Sequence, residues 1–182
     1  MINLIIERTI IMLFEFTPTQ RLILYNQFII MSEQSRLQND ESNAKYYDLF
    51  ADIISNGYTH DYDELNKLIY DEIDIDECKL VWDILSLYEK LQYSAKKTEI
   101  EELIQNSKFR GFDGNYELEL MNYCNFIINK MERFQYLDLD NDDLDSHSKM
   151  KEYYQSMINR CRQFKDYAFL TEEQIKTVLN IK

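Results

Sequence analysis

Hydrophobic positions recur along this chain at helical spacing. Thr17-Pro18-Thr19-Gln20 combines an N-cap, a proline suited to the first helical position and a capping-box glutamine. The run to Leu37 carries Leu22, Leu24, Tyr25, Phe28, Ile29 and Met31, a pattern that predicts a long helix buried over more than half its girth. Asn39-Asp40 ends it. Ser42 opens a second helix through Tyr46, Tyr47, Phe50, Ile53 and Ile54, closed by Gly57 as a C′ residue. A short third helix fits Asp61 to Tyr70. Asp74 or Asp76 caps a fourth, Asp74 and Glu77 having capping-box spacing, with Val81, Trp82, Leu85, Tyr88 and Leu91 facing inward.

The periodicity weakens at residues 93–98, a polar stretch, and a weak helix follows from Glu99 to Asn106. Asp113 then caps a long fifth helix, about 114–135. An aspartate-rich loop at 137–147 separates it from a sixth helix at 148–165. Thr171 to Gln174 is a second capping box, and it opens the last helix. The expectation is an all-α, multihelical fold of six to eight helices. The break near 93–108 suggests two helical subdomains, 17–98 and 109–182. Three glycines and one proline agree, being too few for the turns of an all-β fold.

The apolar opening, residues 1–16, is too short to span a bilayer, and Glu7 and Arg8 interrupt it. It reads as an element packing on the body or on a partner, or as translation from a start upstream of the natural one. Glu7-Arg8-Thr9 back-translates to a ribosome-binding sequence just before Met12, which favours Met12 as the start.

Charge narrows the function. The net charge is −13, which argues against nucleic acid or an anionic membrane as the main partner. Residues 40–77 hold twelve carboxylates and two lysines. The helix after 148 carries Lys149, Lys151, Arg160, Arg162 and Lys165. Such runs are most often solvated faces; the sharper reading is complementary patches meeting within or between subunits. On helices Asp48 and Asp52 are neighbours four apart, and Asp61 and Glu64 three apart. These four are the candidate interaction residues for a basic protein partner, with mimicry of nucleic acid as a further alternative.

Catalytic chemistry finds no local motif. The three glycines admit no Walker loop or dinucleotide fingerprint, so no cofactor is expected. Asp138, Asp140 and Asp142 mimic the start of a calcium loop, but Asp143 stands where glycine is needed and Lys149 where glutamate is. His60 and His147 form no metal-ligand pair, and Cys78, Cys124 and Cys161 have neither zinc nor disulfide spacing, so reduced thiols in the cytoplasm are expected. A hydrolase using carboxylates or a Cys-His pair assembled in space is the alternative function. Fourteen tyrosines, including the doublets Tyr46-Tyr47 and Tyr153-Tyr154, favour an interface: adjacent helical residues cannot point the same way, so one of each pair faces out or into a partner.

The pieces Gln20-Arg21-Leu22-Ile23-Leu24-Tyr25-Asn26-Gln27, Gly57-Tyr58, the Cys78-centred helix and Phe109-Arg110-Gly111-Phe112-Asp113 occur in an order that resembles the YfbU family of bacterial proteins. The likeness runs from Thr17 to Asn180 and leaves residues 1–11 outside; the aspartate-rich loop departs from the family pattern. It implies an all-helical, cytoplasmic homo-oligomer and supplies no catalytic residues. At the matching positions, Arg21 and Gln27 are expected to hydrogen-bond or ion-pair inside an apolar helix. Gly111 is expected to meet a backbone demand, and Asp113 to cap the next helix. The function expected is that of a non-enzymatic interaction or regulatory protein.

Overall fold

The computed structural model describes residues 15–66, 71–164 and 169–181. The predicted opening element and the end of the third predicted helix lie largely outside these residues. Eight α-helices form among them: α1 (Pro18–Leu37), α2 (Glu41–Asn56), α3 (Asp63–Asn66), α4 (Ile75–Thr98), α5 (Glu101–Asn106), α6 (Leu118–Asn125), α7 (Lys151–Cys161) and α8 (Glu172–Leu179). No strand forms among the described residues, only two isolated β-bridges, so the fold is all-α.

Both predicted capping boxes are present: Thr17 and Gln20 exchange bonds at α1, and Thr171 and Gln174 at α8. Gly57 closes α2 in the left-handed region, as its position predicts. Elsewhere the caps shift. Asp40, rather than Ser42, caps α2 by accepting from the Asn43 N–H. Asp74 caps α4 through the Asp76 N–H, and Glu77 leaves the box to pair with Lys151. Residues 59–62 form a 3₁₀ turn ahead of α3.

The chain divides into two compact units, one ending at Asp71 and the other beginning at Glu72. The division therefore precedes α4 instead of falling at 93–108. Residues 93–98 continue α4 because its late polar groups are satisfied by tertiary partners. Ser94 Oγ donates to the Lys90 carbonyl and accepts from the Leu170 N–H at 2.9 Å. Gln92 exchanges two bonds with the Asp138 backbone. Buried polar groups are tolerated when paired, so a polar sequence stays helical here. Glu99, at φ 57°, ends the helix.

The smaller unit packs α1 on α2 around Phe28, Phe50, Ile53, Ile54, Tyr62 and Leu65. The larger is centred on α4, whose Val81, Ile84, Leu85, Tyr88 and Leu91 meet α6, α7 and α8. Two loops cross beside it. Phe109 N–H donates to the Asp138 carbonyl and Phe112 N–H to the Leu144 carbonyl, while Asp140 and Ser146 return bonds. Tyr88, Phe109, Phe112 and Tyr154 form an aromatic cluster against the crossing, and the Tyr154 hydroxyl donates to the Gly111 carbonyl at 2.8 Å.

The predicted helix from 114 starts late and ends early. Asp113 does cap, but it caps a turn: its carboxylate accepts from the Asn115 and Tyr116 N–H groups, and α6 begins at Leu118. After Asn125 the helix widens into a π turn, Phe126–Lys130, where Gln135 donates to the Ile128 carbonyl. The helix predicted at 148–165 is shorter, Lys151–Cys161. Its first N–H groups are held by Glu117, which accepts from Met150 and Lys151.

Gly111 supports a prediction. Its φ is +81°, and a Cβ there would sit 1.9 Å from the Leu144 carbonyl oxygen. Gly111→Ala should destabilise the protein by about 2 kcal/mol or more, combining left-handed strain with overpacking against backbone. A Cβ at Gly114 would meet an Asp145 side-chain oxygen at 2.8 Å, which can move aside. Gly114→Ala should therefore cost less. Urea melts of both variants check the order.

Candidate functional site

In the smaller unit, two of the sequence pieces that carry the family resemblance meet, those of Arg21 and Gly57. Arg21 reaches from α1 to the end of α2, where helical carbonyls lack partners. Its Nε donates to the Ile54 carbonyl and Nη2 to the Ser55 carbonyl, both at 2.8 Å. A Cβ on Gly57 would come within 3.0 Å of Arg21 Nη2, so the bare backbone at 57 makes room for the guanidinium. Gln27, by contrast, is exposed on α1 rather than buried.

A second polar bridge ties the other end of the helix pair. Buried Ser32 donates to Asp48 Oδ1 at 2.6 Å and accepts from Arg36 Nη1, which also pairs with Glu33. Arg36 Nη2 closes the set on Asp48 Oδ2. The hydrogen bond from Ser32 comes first in holding the Asp48 carboxyl below the ordinary aspartate range; desolvation opposes it and Arg36 adds to it.

Asp48 thus belongs to an internal network. Asp52 is exposed one turn on, Asp61 is half-buried in the 3₁₀ turn, and Glu64 is exposed on α3. Of the remaining carboxylates in 40–77, Asp40 and Asp74 cap helices, Asp76 pairs with Lys79, and Glu77 pairs with Lys151. In the Glu77–Lys151 pair the acidic segment meets the basic helix within one chain. Arg162 of that helix likewise pairs with Asp83 at 3.1 Å.

What α1 does not bury is larger than expected. Only Phe28 and Ser32 are buried on it. Leu22, Ile23, Ile30 and Leu37 are 60–85% exposed, and Ile29 is open on the same side. The tyrosine doublets divide as anticipated: Tyr154 is fully buried beside exposed Tyr153, and Tyr46 is more open than Tyr47.

Among the described residues no three His, Cys, Asp or Glu side chains gather as a metal site, and the aspartates of 138–143 are no exception. His147 is largely exposed, with Nδ1 3.3 Å from Asp145 Oδ2. Cys124 lies in the core, where burial pushes its thiol up to about 12, the reverse of nucleophile activation. A cleft of about 580 Å³ runs beside Trp82 and residues 131–136, with Glu89 and Glu132 exposed on its rim.

Two outcomes are expected. Under native alkylation Cys78 and Cys161, both partly exposed, should react well before Cys124, as mass spectrometry of timed digests would show. Second, a carboxyl whose folded pKa is depressed stabilises the protein above its unfolded value, near ~3.9, and this is lost as pH falls through the folded value. Asp48→Asn should flatten the acid side of a stability–pH curve taken by urea melts. An unchanged curve would show that the Asp48 network contributes nothing there.

The chain is similar in sequence to known proteins. The family model for the YfbU domain matches residues 14–181. A UPF0304 protein of Methanocaldococcus jannaschii is 32% identical over 170 residues, covering 88% of this chain and 96% of that protein. Among the described residues no helix is long and apolar enough to cross a membrane. With nearly all of its length matched, the chain belongs to the YfbU family.

Proposed function

We propose that this protein is a cytoplasmic, non-enzymatic interaction or regulatory protein that self-associates and acts through protein–protein contacts. The observation that carries the reading is the apolar surface left open on α1. Monomeric soluble proteins rarely leave contiguous apolar patches beyond a few hundred Å². Tyr46, Leu49 and Tyr58 add exposed apolar and aromatic area in the same unit, and Tyr116 and Tyr136 in the other. Aromatic side chains of this kind are enriched where proteins meet.

Charge has a secondary role in this reading. Glu77–Lys151 and Asp83–Arg162 are satisfied within the chain, so subunits are held by apolar contact and the surplus carboxylates keep the assembly soluble. A basic partner would be drawn to the carboxylates around Asp52 and Asp61 rather than to Asp48, which Ser32 and Arg36 hold.

Light scattering at micromolar concentration should give a mass at least twice that of one chain. The mass should hold between ~0.05 and ~0.5 M salt, where the screening length falls several-fold and charge-held assemblies loosen. A strict monomer defeats the reading; dissociation by salt would shift the assembly to ionic contacts.

A further inference from the structure

The outward face of α1 has a pattern of its own. Ile23, Ile30 and Leu37 stand seven residues apart, so they lie nearly in line along the helix. They are 60%, 62% and 85% exposed. Leu22 and Ile29 flank the row on one side, and the polar Asn26, Gln27 and Gln34 are interspersed. Glu33 is the one charged residue among the exposed positions of α1, in a chain of net charge −13. The opposite side of the helix is committed to α2 through Phe28, Leu24, Tyr25 and Met31.

From this face we infer that α1 pairs antiparallel with α1 of a second copy, about a two-fold axis passing beside Ile30. The inference rests on the self-association proposed above and assigns its surface. A two-fold interface must be complementary to itself, and this row is. With Ile30 at the axis, Ile23 faces Leu37 of the partner subunit and Leu37 faces the partner's Ile23. The same operation keeps each flank of the helix on its own side, setting Gln27 beside the partner's Gln34 and Asn26 beside the partner's Glu33, as hydrogen-bonding pairs at the rim. A parallel pairing would instead bring each Glu33, held by Arg36 of its own copy, beside the partner's Glu33, a like-charge contact that the antiparallel arrangement avoids.

A second copy suits this surface better than a different acidic or basic protein. Two chains of the same high charge repel except where charge is sparse, and α1 is such a place. The five apolar side chains leave on the order of 500 Å² open per copy, or about 1,000 Å² for two, and the polar rim brings the pair to the ~1,200–2,000 Å² of specific interfaces. Flat pairing of a single row also needs no rearrangement of either copy.

The test uses the full chain. Ile30→Asp places two charges against each other at the axis, so its scattering mass should fall to half the wild-type value with its helical circular dichroism unchanged. Ile30→Cys should form a dimer disulfide with itself under mild oxidation, above the background of the wild-type chain. Ile23→Cys and Leu37→Cys should each cross-link weakly alone and strongly when mixed. Self-cross-linking of all three variants would make the pairing parallel and overturn the geometry. An assembly unaffected by Ile30→Asp and without a disulfide at Cys-substituted position 30 would overturn this surface while leaving self-association standing. A wild-type monomer would end both.

Discussion

Backbone that passes close to backbone leaves no room for a side chain between, and the larger unit is arranged around one such passage. Gly111 crosses Leu144 so closely that even a methyl group would overlap the carbonyl. The approach lets Phe109 and Phe112 exchange hydrogen bonds with the aspartate-rich loop on either side of it. It also turns both phenylalanines inward, onto Tyr88 and Tyr154. Burial of those rings contributes about 2–3 kcal/mol each, enough to hold two irregular loops without a sheet. Gln92 and Glu117 then connect the crossing to α4 and α7 through backbone partners far away in sequence. An aspartate-rich run that resembles an ion-binding loop is consequently a structural strand partner in all but name.

The smaller unit meets a different constraint. Among the described residues, α2, the 3₁₀ turn and α3 leave one side of α1 uncovered, and that side carries apolar residues. Arg21 and the Ser32–Arg36–Asp48 set fix α1 on α2 at both ends, which determines the face α1 presents inward. The remaining apolar residues then face away from α2. The surplus is thus a consequence of how the helix pair is locked. That surplus is the observation on which the proposed self-association rests.

The acidic character of residues 40–77 changes meaning once folded. Several of its carboxylates cap helices or accept hydrogen bonds, and helix N-termini favour negative charge through their unpaired N–H groups. Others meet cations of the same unit. A segment that reads as one charged row is divided among local tasks, and what is left over contributes to the net charge of −13.

Local signals were legible in the sequence because their physics is local. The capping boxes at Thr17 and Thr171, the left-handed Gly57 and the helical period of α1, α2 and α4 involve residues within a few positions of one another. So did the inward and outward members of the tyrosine doublets. The continuation of α4 through 93–98 was not legible, because Leu170 and Asp138 satisfy its polar groups from far along the chain. Nor was the late start of α6, the capping of α7 by Glu117, or the capture of Asp48 by Arg36. Sequence determined that α1 would be apolar; tertiary structure alone decided which apolar side chains α2 could cover, because a helix packs one face on a single neighbour and leaves the opposite one open.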